Sequence, residues 1–135
     1  MGVILDSCIW VALAGGQLLA EDVIAVAGES PVFTSVVTVG ELGFGVEACA
    51  DAAERARRAS WLQRIVDRPL LDVTQQTAGA FGILAASVKR RGRSPRPRYN
   101  DLWIAAQAIE NGYVLLTLNL ADFMDLPGLE LKSPA

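Results

Sequence analysis

Histidine is absent from the sequence, and its absence closes off much hydrolytic chemistry. Without imidazole there is no Ser-His-Asp or Cys-His nucleophile pair and no histidine general base. Nearly all catalytic zinc sites go with it. Cysteine is scarce, with only Cys8 and Cys49. They form no Cys-x-x-Cys pair and read as reduced core thiols, not as a disulfide framework or a zinc site. Long apolar runs are missing too, since a bilayer span needs roughly 20 residues. Val3–Leu5 and Ile9–Leu13 are apolar, but Asp6 interrupts them and no basic segment precedes them. The expected location is therefore the cytoplasm.

What is present is a greasy globular composition. Apolar residues make up 52% of the 135 positions and charged residues 20%, which excludes a disordered chain and suits a single domain over residues 1–135. Hydrolytic chemistry in such a chain has to rest on carboxylates, whose natural partners are hard cations. The net charge is −3, but it is unevenly spread. Lys89, Arg90, Arg91, Arg93, Arg96 and Arg98 supply six of the twelve basic residues. This segregation points to a local contact with an anion.

The pattern along the chain alternates short apolar strands with helices. Val3-Ile4-Leu5 reads as a buried strand, with Asp6 and Ser7 capping the helix that follows. A short helical piece spans Val23–Val26. A strand is expected at Pro31–Thr34, then a helix capped by Thr34 or Ser35 to about Ala48. Further helices are expected from Asp51 to about Val66 and from Thr74 to about Arg91, separated by an extended piece at Leu70–Val73. Gly92–Pro97 is a loop, and helix resumes from Tyr99 to Glu110, with Asn111-Gly112 as its stop. Tyr113–Thr117 is another buried strand, followed by a short helix at Leu120–Met124 and an edge strand near Leu129–Leu131. The expected fold is α/β, with a parallel sheet covered by helices on both faces and its ligand site beyond the C-terminal strand ends.

Acids fall where that site would be. Asp6 ends the first strand, Glu41 lies in the helix after the second, Asp101 opens the helix at Tyr99, and Asp122 follows the strand ending at Thr117. Singly, each has a simpler role: a cap for Asp6, a helix-dipole partner for Asp101, a turn residue for Asp122. The helix of Glu41 also carries Gly40, Gly43 and Gly45, each costing up to ~1 kcal/mol relative to alanine. Gly45 stands four residues after Glu41 and leaves that flank bare. Either a ligand or another backbone comes close there, or two helices pack tightly. Two carboxylates ~5 Å apart repel by about 3 kcal/mol at an effective dielectric of ~20. A cluster of them therefore calls for a proton or a cation, and oxygen-only ligands select Mg²⁺ or Mn²⁺.

These motifs together resemble the PIN-domain ribonucleases of the VapC toxin type. Val3-Ile4-Leu5-Asp6-Ser7-Cys8 resembles that family's opening strand and its aspartate. Thr34–Gly45 is similar to its Glu-Leu-x-x-Gly helix, and Asn100–Ala108 to its third acidic motif. Leu115–Phe123 resembles the closing Thr-x-Asn-x-x-Asp-Phe element. The resemblance implies a PIN-like three-layer α/β/α sandwich around a mostly parallel sheet of four to five strands. It also implies an endoribonuclease dependent on Mg²⁺ (or Mn²⁺) that cuts structured RNA, transfer or ribosomal. Asp6, Glu41 and Asp101 carry over as metal-binding carboxylates. The fourth position is open: relatives place an aspartate where this chain has Asn119, and Asp122 can substitute for it. Ser7 and Thr117 are hydroxyls beside the acids that can orient water or metal ligands. The implied partners are a cognate VapB-like antitoxin, whose helix lies in an apolar groove, and a second copy in a homodimer.

The basic segment Lys89–Arg98 adjoins the Asp101 helix and is expected to contact RNA phosphates. Tyr99 reads as a base-stacking residue or as a staple at the helix start, and Trp10, Trp61 and Trp103 as core or partner interface. Other readings are a PIN nuclease outside a toxin pair, a non-catalytic PIN scaffold that binds RNA or protein, and a phosphate-receiving signalling domain. The last usually pairs acids after strand one and uses a late lysine, and the only lysine past the basic segment is Lys132.

Overall fold

The computed structural model describes residues 1–134. Five short strands, β1 (Val3–Leu5), β2 (Val32–Ser35), β3 (Leu70–Leu71), β4 (Val114–Leu116) and β5 (Glu130–Lys132), form one sheet in the order β3-β2-β1-β4-β5. Every neighbouring pair runs parallel. The helices are α1 (Ser7–Gly15), α2 (Ala20–Ala27), α3 (Val36–Glu47), α4 (Ala52–Val66), α5 (Gln75–Arg90) and α6 (Tyr99–Asn111).

Side-chain alternation along the central strands splits the core in two. Val3, Leu5, Val114 and Leu116 join Ile9, Trp10, Val23 and Ile65 on the face covered by α1, α2 and α4. Ile4 and Leu115 point the other way, into Leu84, Val88, Leu102 and Ile104 from α5 and α6. Strands buried on both faces explain the unbroken apolar runs in β1 and β4. The result is the α/β/α sandwich expected from the sequence, with the upper strand count.

The caps follow the sequence closely. Asp6 caps α1 through Ser7 N–H at 2.8 Å, Ser35 caps α3, Asp51 caps α4 and Thr74 caps α5. Gly112, in the left-handed conformation (φ 67°), ends α6. Within the expected loop, Arg96–Arg98 winds into a 3-10 turn.

One expectation needs correcting. Neither cysteine is a core thiol: both are free but only half-buried. Cys8 lies in the first turn of α1, partly buried against the core beyond the end of β1, and Cys49 lies just past the end of α3. The tryptophans divide, with Trp10 in the core while Trp61 and Trp103 are half-buried.

From β1 the chain steps to one side for β2 and β3, then crosses back to place β4 and β5 on the other. The C-terminal ends of β1 and β4 therefore border the crevice where strand order reverses, and such crevices are where open parallel sheets bind ligands.

Candidate active site

Asp6 and Thr117 each follow the last residue of an adjacent strand, and Leu5 and Leu116 are in register. Asp6 is only 4% exposed. Its Oδ1 accepts from Ser7 N–H, and its Oδ2 accepts from the Thr117 hydroxyl at 2.9 Å and from the Cys8 thiol at 3.4 Å. The Cys8 sulfur in turn accepts from Leu118 N–H. Burial, first of all, raises the Cys8 thiol above its usual range, so it stays protonated and able to donate. Ser7 and Thr117 thus do what sequence reading expected of hydroxyl neighbours only in part: Thr117 positions Asp6 by its side chain, Ser7 by its backbone.

Glu41 lies on α3 with Oε1 fully buried and without a hydrogen-bond partner among the described residues. Burial raises its carboxyl above the usual range, aided by the Asp6 charge and opposed by a hydrogen bond from the Asn100 side chain. Asp101, in the first turn of α6, is pushed up to about 6. Burial is the main cause, followed by the charges of Asp6, Asp122 and Glu41, with Arg98 acting in the opposite direction. The charges of Asp6, Glu41 and Asp122 therefore all reach the half-buried Asp101, although Asp122 itself is exposed and, among the described residues, no three such groups stand at cage distance. Asp122 and Asn119 are both exposed; the Asp122 charge reaches Asp101, and the Asn119 backbone N–H donates to Thr117 Oγ1.

These residues suit a hard divalent cation. The donors are all oxygen, one buried oxygen lacks a partner, and burial together with the neighbouring negative charges leaves Asp101 reluctant to ionise alone.

The glycines of α3 now read clearly. A Cβ at Gly40 or Gly45 would meet nothing within 4 Å, and one at Gly43 would only touch Leu62 at 3.9 Å. Tight helix packing does not explain them. Instead Gly45 lines a groove of about 520 Å³ whose walls include Ser7, Trp10, Glu41, Leu42 and Trp61.

The basic segment is divided in its roles. Arg98 makes a paired contact with Asp125, 2.7 Å at its closest, and also donates to the Asp122 carbonyl. It holds the Asp125 carboxyl below its usual range. Arg91 donates to the Asp125 carbonyl. Arg91 fastens the segment after β4 to the end of α5, and Arg98 fastens it to the start of α6. Lys89, Arg90 and Arg96 have no ion pair among the described residues. Sequence reading missed Asp125, whose partners are 27 and 34 residues away, and Asn100, whose only signal was its place beside Asp101.

Comparison with known proteins agrees with this fold. The PIN domain family matches residues 3–127. Ribonuclease VapC5 of Mycobacterium tuberculosis is 35% identical over 93% of this chain and 87% of its own. Ribonuclease VapC4 of the same organism is 34% identical over 72% of each chain. Among solved structures, VapBC-5 from M. tuberculosis, described as a toxin–antitoxin system, superposes with a TM-score of 0.78 at 31% identity, covering 98% of both chains. VapBC2 from Rickettsia felis, bound to promoter DNA, has a TM-score of 0.83 at 22% identity and the same coverage, a likeness of fold.

Proposed function

Because the chain belongs to the PIN-domain family, on its VapC branch, we propose that it is the ribonuclease toxin of a toxin–antitoxin pair. In this reading it is a single PIN domain that cuts structured RNA, transfer or ribosomal, in the cytoplasm with Mg²⁺ or Mn²⁺. The observation that carries this reading is that the charges of Asp6, Glu41 and Asp122 all bear on the half-buried Asp101 beside the C-terminal ends of β1 and β4. Relatives named as ribonucleases support the reaction class.

Asp6, Glu41 and Asp101 would hold the cation, with Asp122 as the fourth acid and Asn119 at the rim. When bound, the ion supplies positive charge against a scissile phosphate and lowers the cost of ionising water. The protein's part is positioning. Thr117, Cys8 and the Ser7 amide fix both oxygens of Asp6, and the Asn100 side chain favours the charged form of Glu41. Arg98 sits near enough to favour the charged forms of the acids without entering their space. The basic segment brings the RNA backbone to this mouth.

The groove beside Glu41 is the seat for a VapB-like antitoxin helix. It opens next to the acids, and Arg57 and Arg58, paired with Glu54, stand on its rim. A homodimer has exposed apolar surface to use in Phe44 and Ile83.

The purified chain is expected to cleave total RNA at a few sites when Mn²⁺ is added and to stop when EDTA is added. Sequencing of the new ends reads out the target. Cleavage that continues at full rate in EDTA contradicts the reading.

A further inference from the structure

Between the last turns of α5 and the first turn of α6 lies a second concavity, about 720 Å³, lined by Ala85, Ala86, Lys89, Arg93, Arg96 and Tyr99. No carboxylate lines it. Three cations face it, and among the described residues Lys89 and Arg96 have neither an ion pair nor a side-chain hydrogen bond, while Arg93 only lends its charge to Asp125. Like charges gathered without a counter-ion repel one another, so the arrangement favours an anion.

The wall is held in shape. Gly92 N–H donates to Lys89 O, Arg93 N–H to Val88 O and Arg98 N–H to Pro95 O. Both ends are fastened to Asp125 through Arg91 and Arg98. Tyr99 is 41% exposed, and its ring meets Phe81 at 5.3 Å and 70°. Phe81 stacks on Trp103 at 3.9 Å. An aromatic ring so braced beside two alanines offers a flat apolar surface at little entropic cost.

Flanking positive charge with an aromatic platform is the chemistry that holds one unpaired nucleotide. We propose that this concavity is a subsite for a single-stranded stretch of RNA, with a base stacked on Tyr99 and phosphates held by Lys89, Arg93 and Arg96. The identification of the strand as RNA rests on the function proposed above. A duplex would hide its base faces from the ring. Tyr99 and Asp101 share the first turn of α6 but lie about 200° apart around it. A strand occupying both places therefore crosses the start of α6, and the cut falls outside the segment held by Tyr99. Arg91 and Arg98 take no part, because Asp125 already engages them.

The test is equilibrium binding of the full chain, in EDTA so that nothing is cut. The probe is a fluorescent uridine oligoribonucleotide of about 12 nucleotides, set against an RNA duplex of equal length. Tyr99→Ala is expected to weaken single-strand binding about tenfold, with Tyr99→Phe near wild type and duplex binding unmoved. Replacing Lys89, Arg93 and Arg96 together by alanine lowers the salt slope by about 2, whereas Arg90→Ala lowers it by less than 1. Thermal melts confirm folding. An unchanged affinity in Tyr99→Ala, an equal loss for the duplex, or an unaltered slope in the triple variant overturns the subsite. Addition of Mn²⁺ to wild type separates the two claims. Oligomer binding with these dependences but no cleavage of any RNA leaves the subsite standing and removes the nuclease; cleavage with Tyr99 indifferent does the reverse.

Discussion

Asp101→Asn is expected to make the metal-free protein more stable while lowering RNA cleavage on the order of 10³-fold. Both effects have one cause. The Asp101 carboxyl is held at about 6, chiefly by burial and then by the charges of Asp6, Asp122 and Glu41, against an ordinary value near 3.8. Ionising it at neutral pH therefore costs the folded state up to about 3 kcal/mol. An amide of the same shape removes that cost together with the charge the cation needs. The pH dependence follows with a definite sign. A carboxyl with a raised value binds its proton more tightly folded than unfolded, so wild type loses stability as pH rises from about 4 to about 6. Denaturant melts in EDTA should show the two proteins alike below pH 4, with the variant ahead by a constant margin above pH 6. Wild type ahead at pH 7 would mean that the acids do not strain one another.

Gly45→Leu should likewise stabilise the protein and disable it in a different way. Glycine inside α3 costs up to about 1 kcal/mol relative to a good helix former, and a Cβ added at Gly45 meets nothing within 4 Å. The leucine would occupy the groove between α1, α3 and α4, where the antitoxin helix is proposed to lie. Affinity for the antitoxin encoded by the neighbouring reading frame should fall on the order of 100-fold, as for loss of a buried anchor. A rise in melting temperature with undiminished antitoxin binding would place the partner elsewhere.

Much of this was readable from the chain alone. Apolar runs at Val3–Leu5 and Tyr113–Thr117, with a cap at Asp6 or Ser7, another at Thr34 or Ser35, and helix starts at Asp51 and Thr74, mark the elements because strand period and cap chemistry are local. The four acids were found because each sits at a fixed offset from a strand or a helix start. Long-range pairing was not readable. Nothing near Arg91 or Arg98 in sequence announces that Asp125 will engage them, so the six basic residues looked equivalent until the fold divided them. Cys8 looked like core filler because its partners Thr117 and Leu118 are more than a hundred residues away in the chain. Its sulfur instead holds Asp6 beside Thr117. The glycines of α3 announced an anomaly in propensity, and only the structure shows open space where a close neighbour was the other explanation.

Calorimetric titration of Mn²⁺ into the EDTA-treated, dialysed protein near pH 6 bears most directly on whether these carboxylates form one cation site. Stoichiometric uptake accompanied by proton release, and lost in Asp6→Asn and Asp101→Asn, is the expected outcome. Absence of uptake, or uptake that survives both substitutions, would show that the acids do not work as a unit.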